Sequence, residues 1–244
     1  MNRLDFYVFE NFSPILNMEI DNFFLKNHEG FVFRLYGWKP YGVSIGFSQK
    51  KERVCNVRYC EDNGIAIVRR TTGGGAVFHK NDITYMFSCP LTFFTERSVV
   101  AIYREVGGII ISILKRLGLN CEFAGKLPVE KRRETIVKSL PCFALPSDYE
   151  MIYMGKKVVG NALRIERDRI LQHGSIAFDF DYRENAVVLN SDETRLRERV
   201  ISLKEIDKTL TIKRFQQTCI DVLKEMFEIR VKKLSKTLNR ILFC

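Results

Sequence analysis

Three consecutive glycines, Gly73 to Gly75, stand between two apolar segments, Ile65–Val68 and Ala76–Phe78. Such a run does not belong inside a helix or a strand, where each glycine costs roughly 0.5–1 kcal/mol relative to alanine. It lets the backbone come close to a ligand and leaves its N–H groups free to donate. The whole segment reads Arg69-Arg70-Thr71-Thr72-Gly73-Gly74-Gly75-Ala76-Val77-Phe78-His79. It is neither a P-loop nor the dinucleotide fingerprint, since GxxxxGK[ST] and GxGxxG are both missing. Two readings stay open from the residues alone. One is a tight hairpin. The other is a cradle whose N–H groups, helped by the two arginines and His79, hold a carbonyl, carboxylate or phosphate.

The punctuation around this run predicts a mixed α/β (α+β) chain, with largely antiparallel sheets flanked by helices. Residues 17–27 gather Met18, Ile20, Phe23, Phe24 and Leu25 on an apolar helix face. Phe31–Leu35, Val43–Ser48 and Ile65–Val68 read as strands, and residues 50–63 as a polar helical stretch ended by Gly64. The clearest helix is 97–117, where Ile102, Val106, Ile109, Ile113 and Leu117 recur at helical spacing before Gly118. Gly107 and Gly108 inside it suggest a close approach to a neighbouring backbone. Residues 125–147 hold three prolines and a charge cluster and read as a surface loop. Tyr149–Met154, Lys157–Leu163 and Ile170–Phe178 follow as antiparallel strands, the first pair joined at Gly155-Lys156; Ile212–Phe227 is a helix. Residues 1–190 are expected to form a catalytic domain, and residues 191–244 a helical C-terminal segment packed on it.

No run of 18 apolar residues occurs, and Met1–Phe12 lacks the basic-then-apolar pattern of a secretory signal. A cytoplasmic protein without membrane contact is expected. The seven cysteines form no CxxC pair, so neither a zinc site nor another metal centre is indicated, and six of them are expected to be buried thiols. The net charge is +10, and from Arg195 to Cys244 thirteen Lys/Arg face six Asp/Glu. That excess suits an acidic protein partner. The signatures of nucleic-acid binding are absent, so nucleic acid is not expected as a partner.

Three further segments carry chemistry. In Gly155-Lys156-Lys157-Val158-Val159-Gly160-Asn161-Ala162, simple alternation places Lys157, Val159 and Asn161 on one strand face. A lysine on an apolar strand is costly unless it pairs or works; an edge lysine that blocks aggregation is the alternative. His173, in Gln172-His173-Gly174-Ser175, is either a core histidine or a site residue. Cys142 sits between Pro141 and Pro146, an unusual place for a packing thiol. A nearby ammonium would supply its thiolate, the nucleophilic form.

Taken in order, RRTTGGGAVFH, CFALPSDYE, GKKVVGNA and LQHGS resemble the lipoate–protein ligase A and octanoyltransferase family, and so does the earlier LYGWKPYGVSIGFSQ, with Trp38 and Gln49. The resemblance spans residues 5 to 207. It implies a biotin/lipoate protein ligase-like catalytic domain with a tunnel for an eight-carbon acyl chain. It also implies that Lys157 polarises the acyl carbonyl. Arg70, Gly73, Gly74, Gly75, Ala76, Val77, Phe78, His79, Gly160, Asn161 and His173 would line the acyl or adenylate site.

The cysteine segment is most similar to the transferase branch, in which Cys142 would carry the acyl thioester with Lys157 fifteen residues later. The expected reaction moves octanoyl from octanoyl–acyl carrier protein to the lysine of a lipoyl domain or of the glycine cleavage H protein, with no cofactor. Gly75 is more ligase-like. The alternatives are therefore an ATP- and Mg-dependent lipoate ligase, working with a separate accessory protein, and a non-catalytic lipoyl-domain binding module.

Overall fold

The computed structural model describes residues 1–125 and 149–236. In chain order the elements are β1 (Asn2–Phe12), α1 (Pro14–Asn27), β2 (Phe31–Trp38), β3 (Gly42–Ile45), α2 (Lys51–Val54), α3 (Val57–Asp62), β4 (Ala66–Arg69), β5 (Val77–His79), β6 (Ile83–Pro90), α4 (Val99–Arg116), β7 (Glu122–Phe123), β8 (Met151–Tyr153), β9 (Lys156–Glu166), β10 (Arg169–Ile176), α5 (Tyr182–Val188), α6 (Glu193–Arg199), α7 (Leu203–Ile206), α8 (Ile212–Lys224) and β11 (Phe227–Lys232). Among the described residues no helix is long and apolar enough to cross a membrane.

Among the described residues eight strands form one mixed sheet in the order β11-β1-β2-β6-β10-β9-β8-β7, and three form a second in the order β4-β3-β5. Leu4, Phe6, Phe33, Leu35, Tyr85 and Phe87 share one face of the large sheet and form its main core with Ile102, Val106 and Ile113 of α4 and Phe215, Cys219 and Leu223 of α8. Tyr7, Val32, Tyr36, Trp38, Met86 and Leu171 point the other way and receive Ile20, Phe24 and Leu25 of α1. This period-two division gives the large sheet two buried faces. The small sheet has its own core, in which Val43, Ile45 and Phe78 meet Val54 and Cys60.

Several expectations change. The helix ends at Lys224, and Phe227–Lys232 becomes β11, paired in parallel with Asn2 to Tyr7 at the sheet edge. Buried Asp5 holds it there, accepting from Arg230 at 2.8 Å and Lys232 at 2.6 Å. The turn from β8 to β9 is Met154-Gly155, one residue earlier than expected; both take positive φ, 48° and 78°. In α4 the close approach is to side chains: a Cβ on Gly107 would stand 2.8 Å from Cε1 of Phe123. Nothing lies within 4 Å of one on Gly108. The surface loop expected over residues 125–147, apart from Gly125, falls outside the described residues.

Candidate active site

The glycine run is not a hairpin. It joins β4 to β5, which flank β3 instead of pairing with each other, so it must cross over the end of β3. There it is stitched down: Arg70 N donates to Ile45 O at 2.9 Å, and Phe47 N donates to Thr72 O at 2.9 Å. A methyl group on Gly46 would collide with the carbonyl of Gly74. Gln49 closes the turn at Gly46, its Oε1 accepting from Gly46 N at 2.9 Å.

Both arginines are committed to this loop. Arg70 is buried and donates to Ser44 O (2.7 Å), Ser44 Oγ (2.8 Å), Gly73 O (3.0 Å) and Gly75 O (2.9 Å). Arg69 caps the carbonyls of Gly46, Phe47 and Gln49. With the Gly73 and Gly75 carbonyls turned to Arg70, planarity of the trans peptides turns the Gly74 and Ala76 amides away from it.

Two buried carboxylate–imidazole–hydroxyl relays flank the loop. In the first, Asp21 Oδ2 lies 3.0 Å from His173 Nδ1, and His173 Nε2 lies 2.7 Å from Thr72 Oγ1. Asp21 also accepts from Arg34 at 2.9 Å and Tyr36 at 2.7 Å. Burial lowers the His173 pKa below its usual 6.5, against the opposing pull of Asp21. The ring is therefore neutral at pH 7, with its proton on Nδ1 facing the carboxylate and Nε2 accepting from the Thr72 hydroxyl. In the second, Asp82 Oδ2 lies 2.8 Å from His79 Nδ1, and His79 Nε2 lies 2.7 Å from Ser44 Oγ. Asp82 Oδ2 also accepts from Thr84 (3.0 Å) and Ser175 (2.6 Å), and Trp38 stacks on the His79 ring at 3.8 Å.

Asp21, Asp82, Ser44 and Thr72 were not among the residues expected at the site. Asn17 and Asp21, four apart beside Ile20 and Phe24, are the signal that could have found the first: two polar side chains on the buried side of an amphipathic helix.

Strand β9 corrects the facing expected for Lys157. Met151 pairs with Val159, but Ile152 pairs with Lys157, so one step on β8 spans two on β9 and Val158 is the extra residue of a bulge. Met151 and Ile152 point to opposite faces; Lys157 and Val159 therefore do too. Val159 belongs to the core under α4, as does Met151. Lys157 faces the other side with Gly160 and Ala162, and its ammonium pairs with the buried carboxylate of Glu150.

Between the two sheets lies a cleft with about 340 Å³ of empty space, its open mouth included. From the large sheet it takes Tyr36, Trp38, Thr84, Gly160, Asn161, Ala162, His173, Gly174 and Ser175. From the small sheet it takes Ser44, Val77 and His79, from the glycine loop Arg70, and from α1 Met18. Of the residues expected at the site, Arg70, Val77, His79, Gly160, Asn161 and His173 thus meet in one cleft. Gly73, Gly74, Gly75, Ala76 and Phe78 form the loop and strand behind it. Lys157 lies three residues along β9 from Gly160, about 10 Å at strand rise. Cys142 lies outside the described residues. Cys55, Cys60, Cys89, Cys121 and Cys219 are all buried, and burial pushes Cys55 up to about 12 and Cys121 to about 11, and raises the other three. These five are packing thiols.

The chain matches the family described as the Lipoyl protein ligase A/B catalytic domain over residues 13–224. It belongs to that family. Among lipoyl ligase A/B relatives it is 36% identical over 198 residues to octanoyltransferase LipM of Halalkalibacterium halodurans, covering 77% of this chain and 70% of that protein. It is 30% identical over 239 residues to octanoyltransferase LipM of Staphylococcus aureus, covering 92% of this chain and 87% of that protein. A lipoate-protein ligase A solved with ATP shares the fold at a TM-score of 0.78 and 21% identity, over 100% of this chain and 94% of that one. The bipartite lipoate protein ligase of Thermoplasma acidophilum, studied with its E2 lipoyl domain, does so at 0.76 and 20%, over 100% and 92%. The lipoate/biotin ligase-like fold is thereby assigned to this chain.

Proposed function

We propose that this member of the family is an octanoyltransferase that moves an octanoyl group from octanoyl–acyl carrier protein, through a thioester on Cys142, to the lysine of a lipoyl domain or of the glycine cleavage H protein. What carries the transferase reading is its similarity to octanoyltransferases over most of the chain. The cysteine route adds the fifteen-residue spacing from Cys142 to Lys157.

The Cys142 thiolate attacks the donor thioester, its carbonyl–sulfur bond breaks, and the carrier leaves as a thiolate that takes up the proton Cys142 gave up. The acceptor amine then attacks the acyl-enzyme, an amide forms and the cysteine thiol is released. Thioester exchange is close to neutral and amide formation from a thioester is downhill, so this route uses no nucleotide. Lys157 and loop amides would stabilise the oxyanion, one such donor contributing about 3 kcal/mol. Arg70, Gly73–Gly75, His79, Asn161 and His173 would form the acyl site.

The test supplies an apo lipoyl domain with octanoyl–acyl carrier protein without ATP, or with free octanoate, ATP and Mg²⁺. Modification in the first tube only is expected, with a hydroxylamine-labile octanoyl adduct on Cys142 when the acceptor is left out. Modification only in the second tube, with Cys142→Ala active, would replace this reading by the ligase.

A further inference from the structure

The Lys157 ammonium is buried, and its partner Glu150 is buried as well. Both project from the same side of the β8–β9 hairpin: Glu150 is two residues before Ile152, and Ile152 is the cross-strand partner of Lys157. Only the bulge at Val158 makes this possible. Regular pairing outward from Met151 and Val159 would put Lys157 on the opposite face.

The backbone at both ends of the pair is fixed. Ala124 N donates to Glu150 O at 2.9 Å, and Ile201 N donates to Lys157 O at 3.0 Å. The neighbouring Tyr149 stacks on Tyr103 at 5.0 Å, and its carbonyl accepts from Asn161 Nδ2 at 3.1 Å. Asn161 in turn lines the cleft. A lysine side chain has four rotatable bonds and a point charge without directional preference, so a fixed carboxylate is what gives its ammonium one place to be. A packing role for the pair would be costly, because burying two charges seldom repays their desolvation.

We infer that Glu150 is a positioning residue for the acyl transfer: its carboxylate aims the Lys157 ammonium along the cleft face of β9, toward Gly160. The inference rests on the reading of Lys157 as an acyl-site residue, and it adds a residue that acts through the lysine without touching substrate.

The experiment compares Lys157→Ala, Glu150→Gln and Glu150→Asp in the full chain, measuring octanoyl transfer to an apo lipoyl domain and thermal unfolding. Lys157→Ala tests the reading on which this rests; full activity there removes Lys157, whatever Glu150 does. Glu150→Gln keeps the shape and an acceptor oxygen but loses the charge. We expect kcat to fall about 10- to 100-fold, with KM for octanoyl–acyl carrier protein within about twofold of wild type. Tm should stay within a few degrees. Glu150→Asp keeps the charge one methylene short and should fall between the two. With Lys157→Ala impaired, a wild-type kcat in Glu150→Gln overturns the inference. So does a loss that appears in Tm and KM alone. If Glu150→Gln does not fold, a wild-type kcat in Glu150→Asp overturns it equally.

Discussion

Gly46 and Gly74 pack backbone against backbone: a Cβ on Gly46 would run into the Gly74 carbonyl and lie 3.1 Å from its carbon. Backbone cannot yield as a flexible side-chain tip can, so Gly46→Ala must displace the glycine loop. We expect a stability loss of about 1–3 kcal/mol and a fall in kcat/KM of about 100-fold, the scale of a 1 Å misplacement. Denaturant unfolding and the transfer assay check it.

Thr72→Val keeps the volume of a fully buried side chain but removes the hydroxyl that serves His173 Nε2. A buried acceptor left without a donor costs about 1–3 kcal/mol. Because burial lowers the His173 pKa, the unfolded chain binds the extra proton first as pH falls below 6.5. Stability should therefore decline from pH 6.5 downward until the folded value is passed, and His173→Gln should flatten that slope in urea titrations.

The adjacent glycines of α4 should respond with opposite sign. Gly108→Ala meets open space and should stabilise by about 1 kcal/mol through helix propensity. Gly107→Ala drives a methyl group against Phe123 and Met151 and should destabilise. Equal shifts in Tm would show that the helix does not sit against β7 and β8 as described.

Asp5 ties β11 to β1. Burial alone would raise its pKa, but His28, Lys232 and Arg230 together bring it down to about 2. A depressed carboxylate stabilises above its unfolded value of 3.8, and that contribution is lost as pH falls through about 2. Asp5→Asn should cost about 1–2 kcal/mol at neutral pH, discounted for the solvent around Arg230 and Lys232. The gap to wild type should close between pH 4 and 2. Faster amide exchange in β11 at pH 7 would accompany it.

The chain's order of motifs determined much about this protein. Helix α4 could be read from Ile102, Val106 and Ile113 because an amphipathic repeat is a local property, and the glycine run could be read as a connection because no regular element accepts it. The residues Arg70, Val77, His79, Gly160, Asn161 and His173 were legible as a group through their motifs, although they come from separate elements. What the run approaches was not legible. A hairpin and a crossover use the same glycines, and only the pairing of β3 with both β4 and β5 decides between them. Asp21 was invisible for the same kind of reason: it gains its role from His173, 152 residues away, which the fold brings into contact. The direction of Lys157 was misread because alternation assumes an unbroken ladder. A bulge is set by the register of the partner strand, so one extra residue at Val158 turned the lysine to the face it shares with Gly160 and onto Glu150.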